Sequence, residues 1–269
     1  MTESANWPRI ECDVGAGHAD PGLLRGLIDG EIAVIRLRNL LPDRELAVNR
    51  YRLRRVFDRA TTTHYVNGTL TTIGPFLAKY LSRPDDYFTD ARDADDRLAE
   101  VSFDLAGQVR EALKKAFGLH SLEPAQEPDG RRYGDAVVRV HADGVSNPLH
   151  NDNIMRDAAG TGLALAGLHH QLSCVVCVEE CDSGGELKIY QKPWQPADET
   201  FKIADGLGYH PGVVAGAACH TFKPRAGDVY LINPTHYHEI ERVVGADRTT
   251  LGFFIGFGQP ALNDAVVWG

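Results

Sequence analysis

From Gly130 onward the apolar positions fall in short β-branched runs. Ala136–Ala142, Gln171–Val178, Glu186–Tyr190, Ala218–Phe222, Asp228–Ile232, His238–Val244 and Thr249–Phe257 each read as a strand. Turn-forming clusters separate them: Asp143-Gly144, Asp182-Ser183-Gly184-Gly185, Arg225-Ala226-Gly227-Asp228 and Gly245-Ala246-Asp247. Many short strands so spaced predict a sandwich or jelly roll. Before Gly130 the period lengthens. Glu31–Leu37 alternates and predicts a strand, whereas Glu45–Ala60 and Asp95–Phe117 carry their apolar residues at helical spacing (Leu46, Tyr51, Leu53, Phe57; Leu98, Val101, Leu105, Val109, Leu113, Phe117). Thr61–Gly74 is polar and turn-rich, which predicts a loop placed over a pocket, and Pro124–Gly130 predicts a linker. The expected layout is a single α+β domain over 1–269. It has a mainly helical part at 1–128 with one or two strands, a β core at 129–260 and a tail at 261–269.

Composition narrows the function without altering this picture. The chain has 269 residues, enough to bury a full core, with 43% apolar and 24% charged residues. A net charge of −9 argues against a protein built to coat nucleic acid or anionic membrane. The start, Met1-Thr2-Glu3-Ser4-Ala5-Asn6, lacks a basic and apolar leader, and no run approaches the length of a membrane span, so the expected location is cytoplasmic. Oligomeric state is not legible in the sequence. Five cysteines without a leader do not suggest a disulfide framework. Cys174 and Cys177 form a C-x-x-C, but on a strand residues three apart face opposite sides and cannot share one zinc. Core cysteines are expected.

The chemistry gathers at Pro148-Leu149-His150-Asn151-Asp152-Asn153. On extended chain His150 and Asp152 share a face. An imidazole and a carboxylate there, completed by a distant histidine, make the 2-His-1-carboxylate set that holds non-haem Fe(II) with coordination positions open. The distant histidine is His236 or His238; they are two apart, share a face and are chemically equivalent. Three open positions suit a 2-oxo acid and O2, and the far carboxylate of such a diacid needs a guanidinium. Arg248 follows the Gly245-Ala246-Asp247 turn. A hairpin there predicts Arg248 opposite about Val243, roughly 16 Å along the strand from His238 at ~3.3 Å per residue, within reach of an arginine plus a five-carbon diacid. Thr250 shares the face of Arg248 and offers a hydroxyl to the same carboxylate.

These segments resemble the Fe(II)/2-oxoglutarate-dependent oxygenases with a double-stranded β-helix, cupin-like core. In that pattern the distal histidine stands ten residues before the co-substrate arginine; His238 fits this spacing to Arg248 and His236 does not. Gln171-Leu172-Ser173, Gly184-Gly185-Glu186-Leu187 and Gly227-Asp228-Val229-Tyr230-Leu231-Ile232 also look like family segments. Within the superfamily the chain is similar, from about Gly30 to Gly256, to a carrier-independent subgroup. That subgroup contains the hapalindole/welwitindolinone-type alkaloid chlorinases and, more loosely, the N-succinyl amino acid hydroxylases. The resemblance implies Fe(II) on His150, Asp152 and His238, 2-oxoglutarate on Arg248 and Thr250, and Ser173 beside the reacting centre. It implies oxidative decarboxylation with O2, giving succinate and CO2, and attack on an aliphatic C–H of a free small molecule. The chlorinases carry Gly where this chain has Asp152, so hydroxylation is implied and chlorination is not. Desaturation, cyclisation or epimerisation at the same site is the alternative; a metal-binding cupin-like protein without 2-oxoglutarate chemistry is the second. Thr61–Thr72 and Asn153–Leu168 are expected to shape the substrate pocket.

Overall fold

The computed structural model describes residues 7–269, the side chain of Ala16 apart; Met1–Asn6, where a leader was sought, lies outside the described residues. In chain order the strands are β1 (Arg9–Asp13), β2 (Val34–Arg38), β3 (Thr61–Tyr65), β4 (Gly68–Ile73), β5 (Ser121–Pro124), β6 (Val137–His141), β7 (Asn147–His150) and β8 (His170–Glu179). They continue as β9 (Ser183–Gly184), β10 (Leu187–Pro193), β11 (Cys219–Phe222), β12 (Val229–Ile232), β13 (His236–Ile240), β14 (Val243–Val244), β15 (Arg248–Phe257) and β16 (Asp264–Trp268). The helices are α1 (Gly22–Ile28), α2 (Asp43–Arg54), α3 (Pro84–Glu100), α4 (Leu105–Phe117) and the single turn α5 (Ile154–Asp157).

The larger sheet has the order β1-β2-β12-β8-β15-β6-β4-β3, with β16 joined to β15 and β5 to β16. The smaller sheet is β11-β10-β13-β7, and β14 pairs with β9. Two sheets closing on one cavity make the jelly roll expected from the strand spacing.

Strand alternation sorts the large sheet into two faces. Leu172, Cys174, Val176 and Val178 of β8 and Leu251, Phe253 and Ile255 of β15 point outward into the main core. There they join Leu24 and Leu27 of α1, Leu53 of α2 and Val109 and Leu113 of α4. Each fully buried side chain of this size contributes about 1.5–3 kcal/mol relative to exposure. The outer face therefore supplies the stability, and the alternate residues of the same strands are free to be polar. Cys174 lies in this core, whereas Cys177 is close enough to Arg248 to feel its charge; the two thiols are divided between faces as strand geometry requires.

Several elements depart from the sequence expectation. Five strands, not one or two, lie before residue 128. The stretch Asp95–Phe117 belongs to two helices: α3 ends at Glu100, Ser102 takes a left-handed φ of 55°, and α4 begins at Leu105 with its Asp104 N–H donated to the Asn49 side chain. Thr61–Gly74 is the hairpin β3–β4. Its threonines are polar but β-branched, and the branching decides: Thr62 and Thr71 hydrogen-bond across the ladder at 2.9 Å, and β4 pairs with β6. Pro124–Gly130 is no linker, since Ala125 donates its N–H to Val267 and accepts one from Tyr133. The tail forms β16, whose alternation sends Ala265 and Val267 to the main core and Val266 and Trp268 to a second apolar cluster.

The predicted hairpin linking His238 to Arg248 is also absent. Val243 and Val244 pair with β9, while Arg248 opens a strand of the other sheet, opposite His141. The Gly245 and Ala246 N–H groups are held by the Asp143 and Asp182 carboxylates, which fix the chain as it crosses between sheets. Arg248 therefore approaches from across the cavity and not along a shared strand.

Candidate active site

His150 ends β7, and its ladder partner on β13 is His238. Directly opposed residues of antiparallel strands share a face, and the two rings stand 4.2 Å apart between centroids. Asp152 lies two residues beyond His150, its N–H donated to Pro234 O at 2.9 Å. Asp152 Oδ2 is 3.8 Å from His150 Nε2 and 3.7 Å from His238 Nε2. The three side chains offer one ligand atom each, all within 4.8 Å of one another.

The tautomers are set by the backbone. His150 Nδ1 donates to Pro148 O at 2.7 Å, and His238 Nδ1 donates to His236 O at 2.9 Å. A carbonyl can only accept, so each Nδ1 carries a proton and Nε2 is the ring atom each histidine turns toward Asp152. Burial, then the nearby His150, pushes the His238 pKa down to about 4, so its ring is neutral at physiological pH. Two imidazoles and a carboxylate, each imidazole oriented by a hydrogen bond at Nδ1, fit a divalent ion of the Fe(II) kind.

Although it stands two residues from His238, His236 does not reach the triad, and the pairing of β13 with β10 breaks register between the two histidines. Its ring is buried against Trp7, at 5.5 Å, and Gly30.

The triad opens into a cavity of about 620 Å³ between the two sheets. Across it stand the alternate, inward residues of the large sheet: Ser173 of β8, Tyr230 of β12, Arg248 and Thr250 of β15, and Arg139 and His141 of β6. Arg248 is buried; its Nη2 donates to Tyr230 Oη at 3.3 Å, and its Nε has no partner. Its passage depends on Gly185, which holds a φ of +69°; a Cβ there would stand 2.7 Å from Cys181 Sγ and 3.1 Å from Arg248 Cδ. The Gly-Gly-Glu-Leu turn thus keeps the arginine's path clear. Thr250 and Ser173 are buried and line the same cavity.

Sequence reasoning passed over Arg139 and His141. The signal was present, because an arginine and a histidine alternating with valines in Val137-Val138-Arg139-Val140-His141 cannot both sit in an apolar core. His141 is buried with neither ring nitrogen partnered, and burial, followed by the charges of Arg248 and Arg139, lowers its pKa to about 3.

The lining also includes the apolar residues Leu70, Leu77, Ile154, Leu207, Phe254 and Trp268. The hairpin β3–β4 contributes here as expected: Tyr65 and Leu70 line the wall, and Asn67 at its tip exchanges two 2.8 Å hydrogen bonds with the Leu207 backbone. Of the segment Asn153–Leu168, residues Asn153, Ile154, Arg156 and Asp157 reach the cavity; Leu163 and Leu165 pack in an apolar cluster behind it.

Among solved structures, an N-substituted L-amino acid dioxygenase from Burkholderia ambifaria AMMD has the same fold, with a TM-score of 0.58 over 93% of this chain and 91% of that one at 16% identity. Its complex with alpha-KG also matches at 0.58, with 17% identity over the same shares. In sequence the chain is 32% identical to L-isoleucine 3(1)-dioxygenase of Pantoea ananatis (strain AJ13355) over 162 residues, 58% of this chain, and it spans about half (53%) of that protein. It is 29% identical to leucinostatins biosynthesis cluster protein S of Purpureocillium lilacinum over 182 residues, 64% of this chain and 72% of that protein. The family model of the carrier-protein-independent halogenase WelO5 matches residues 5–269, and the chain belongs to that family, within the Fe(II)/2-oxoglutarate-dependent oxygenases.

Proposed function

We propose that this chain is a single-domain hydroxylase in which His150, Asp152 and His238 hold Fe(II), Arg248 and Thr250 seat 2-oxoglutarate, and Ser173 lies beside the reacting centre. The observation that carries this is Asp152: a carboxylate oxygen stands within 4 Å of both imidazole Nε2 atoms, at 3.8 and 3.7 Å. With three protein ligands no coordination position is reserved for a halide, and transfer of hydroxyl is favoured over halogen within this family. When bound, Fe(II) with 2-oxoglutarate and O2 supplies oxidative decarboxylation to succinate and CO2 and the oxidising power to break an aliphatic C–H bond.

The protein's own contribution is placement. The backbone carbonyls of Pro148 and His236 aim the two imidazoles, and Arg248 and Thr250 offer charge and hydroxyl to the carboxylate remote from the metal. Phe254, Trp268 and Leu207 present an apolar wall that keeps water from the target carbon. A largely apolar chamber suits a free amino acid or amino-acid derivative with an aliphatic side chain, in keeping with the substrates in the names of the two amino acid dioxygenases above. Alkaloids and other specialised metabolites are the wider class. We read the protein as cytoplasmic, acting on a dissolved substrate without nucleic acid or membrane; no helix among the described residues is long and apolar enough to cross a membrane.

The test is substrate-stimulated succinate formation across amino acids, N-acylated amino acids and nucleotides. Asp152→Ala should reduce it to background. Full turnover in that variant would refute the ligand assignment.

A further inference from the structure

The roles proposed above use one of the two guanidinium groups that the large sheet turns into the cavity. Arg139 is the other. In the β6–β15 ladder Thr250 stands opposite Arg139 and Arg248 opposite His141. Opposed residues share a face, so these four side chains form one patch on the inner wall.

Arg139 differs from the other well-covered arginines. Arg36 is bonded to Asp228 at 2.6 Å, Arg110 to Asp135 at 2.8 Å, Arg156 to Asp157 at 2.6 Å, and Arg50 to Val178 O at 2.7 Å. Arg139 has no ion pair or hydrogen bond among the described residues; it lies deep in the protein with part of its surface open to the cavity. Burial lowers its pKa, Asp152 and Tyr230 oppose that, and Arg248 adds to it. Two guanidinium groups near enough to repel, on a wall with no carboxylate of its own, are unfavourable until an anion enters. Beside them are two more unpartnered groups, the His141 imidazole and Arg248 Nε. Such a patch matches a ligand with two negative charges. Arg139 stands on β6, the strand that leads directly into β7 and His150, and its charge couples to Asp152 and His238.

We propose that Arg139, with His141 beside it, seats the second carboxylate of the co-substrate, the one adjacent to the keto group, while Arg248 and Thr250 hold the remote one. The cavity is then a two-ended cradle for a dicarboxylate. This rests on the assignment of the triad and Arg248 given above.

Two keto acids separate the ends: 2-oxoglutarate, and 2-oxopentanoate, which keeps the keto acid head and lacks the remote carboxylate. Their affinities are measured by anaerobic calorimetry on the full chain loaded with Mn(II) as a redox-silent stand-in. Arg248→Met should weaken 2-oxoglutarate by about 100-fold and leave 2-oxopentanoate unchanged, so that selectivity collapses. Arg139→Met should weaken both acids by about tenfold or more, with selectivity intact. Arg139→Lys should recover part of the loss.

Gly252→Ala is the second variant, because a Cβ at Gly252 would stand 3.0 Å from Arg139 Nη1 and displace the guanidinium without removing a charge. It should give the same signature more weakly. Mn(II) affinity and melting temperature close to wild type show that each variant is folded. Wild-type affinity for both acids in Arg139→Met overturns the proposal, as does loss confined to 2-oxoglutarate, which would put Arg139 at the remote end. A wild-type chain that binds neither acid overturns the underlying co-substrate assignment, and the proposal with it.

Discussion

The two walls of the cavity treat their polar side chains in opposite ways. On the small sheet each imidazole already has an internal partner: Nδ1 of His150 and of His238 donates to a carbonyl two residues back. On the large sheet these groups find no partner among the described residues: both nitrogens of His141, Nε of Arg248, and the whole guanidinium of Arg139. A wall that must present lone pairs to an ion gains from being fixed beforehand, because free rotation would have to be frozen on binding. A wall that must receive an anion cannot be satisfied by the protein alone, since an internal carboxylate would compete with the ligand. Stability for the open wall comes from behind it, where the same strands bury Leu251, Phe253 and Ile255.

This contrast predicts that polar groups on the open wall weaken the empty protein and strengthen the loaded one. His141→Leu is the sharpest probe. Removing a buried imidazole with no partner should relieve about 1–3 kcal/mol. The melting temperature of the empty protein should therefore rise, by about 2–4 °C per kcal/mol at this chain length. The same change should reduce the further rise given by saturating 2-oxoglutarate. A drop in empty-protein stability would show that the imidazole has a structural partner after all.

Thr250→Val should have a smaller effect. It removes one hydroxyl from the open wall and should weaken 2-oxoglutarate by about 2- to 10-fold, the worth of a single hydrogen bond, with metal affinity unchanged.

Asp95→Asn should leave both walls untouched. Burial, and then the charge of Asp135, raises the Asp95 carboxyl to about 7 in the folded protein. The folded state holds that proton more tightly than the unfolded chain, whose carboxyl titrates near ~3.9. The resulting stability is complete below about pH 4 and is lost as pH rises through about 7. Asp95→Asn should melt with wild type at pH 4 and above it at pH 8, with unchanged 2-oxoglutarate affinity. Equal melting profiles at both pH values would refute the burial effect.

Legibility in the sequence followed the strength of the local signal. β8, β12 and β15 were readable to within one or two residues because their β-branched runs end in glycine-rich turns. The jelly roll followed from them. The hairpin β3–β4 was hidden by polar threonines, and β16 by its shortness at the chain end. His150 and Asp152 were visible from their spacing, whereas choosing His238 over His236 needed the ten-residue interval to Arg248. Arg248 was expected along a hairpin shared with His238 and instead faces the cavity from the opposite sheet. Arg139 and His141 went unseen because no motif marks them; only the strand's alternation, combined with the cost of burying charge, places them in the cavity.

The central claim is that one cavity binds ferrous ion on one wall and a 2-oxo diacid on the other. Anaerobic titration of the wild-type chain with Fe(II), followed by 2-oxoglutarate, tests it directly. A visible charge-transfer band that appears only when both are present, and is missing in Asp152→Ala, is the predicted result. A wild-type spectrum that stays blank through saturating Fe(II) and 2-oxoglutarate would contradict it.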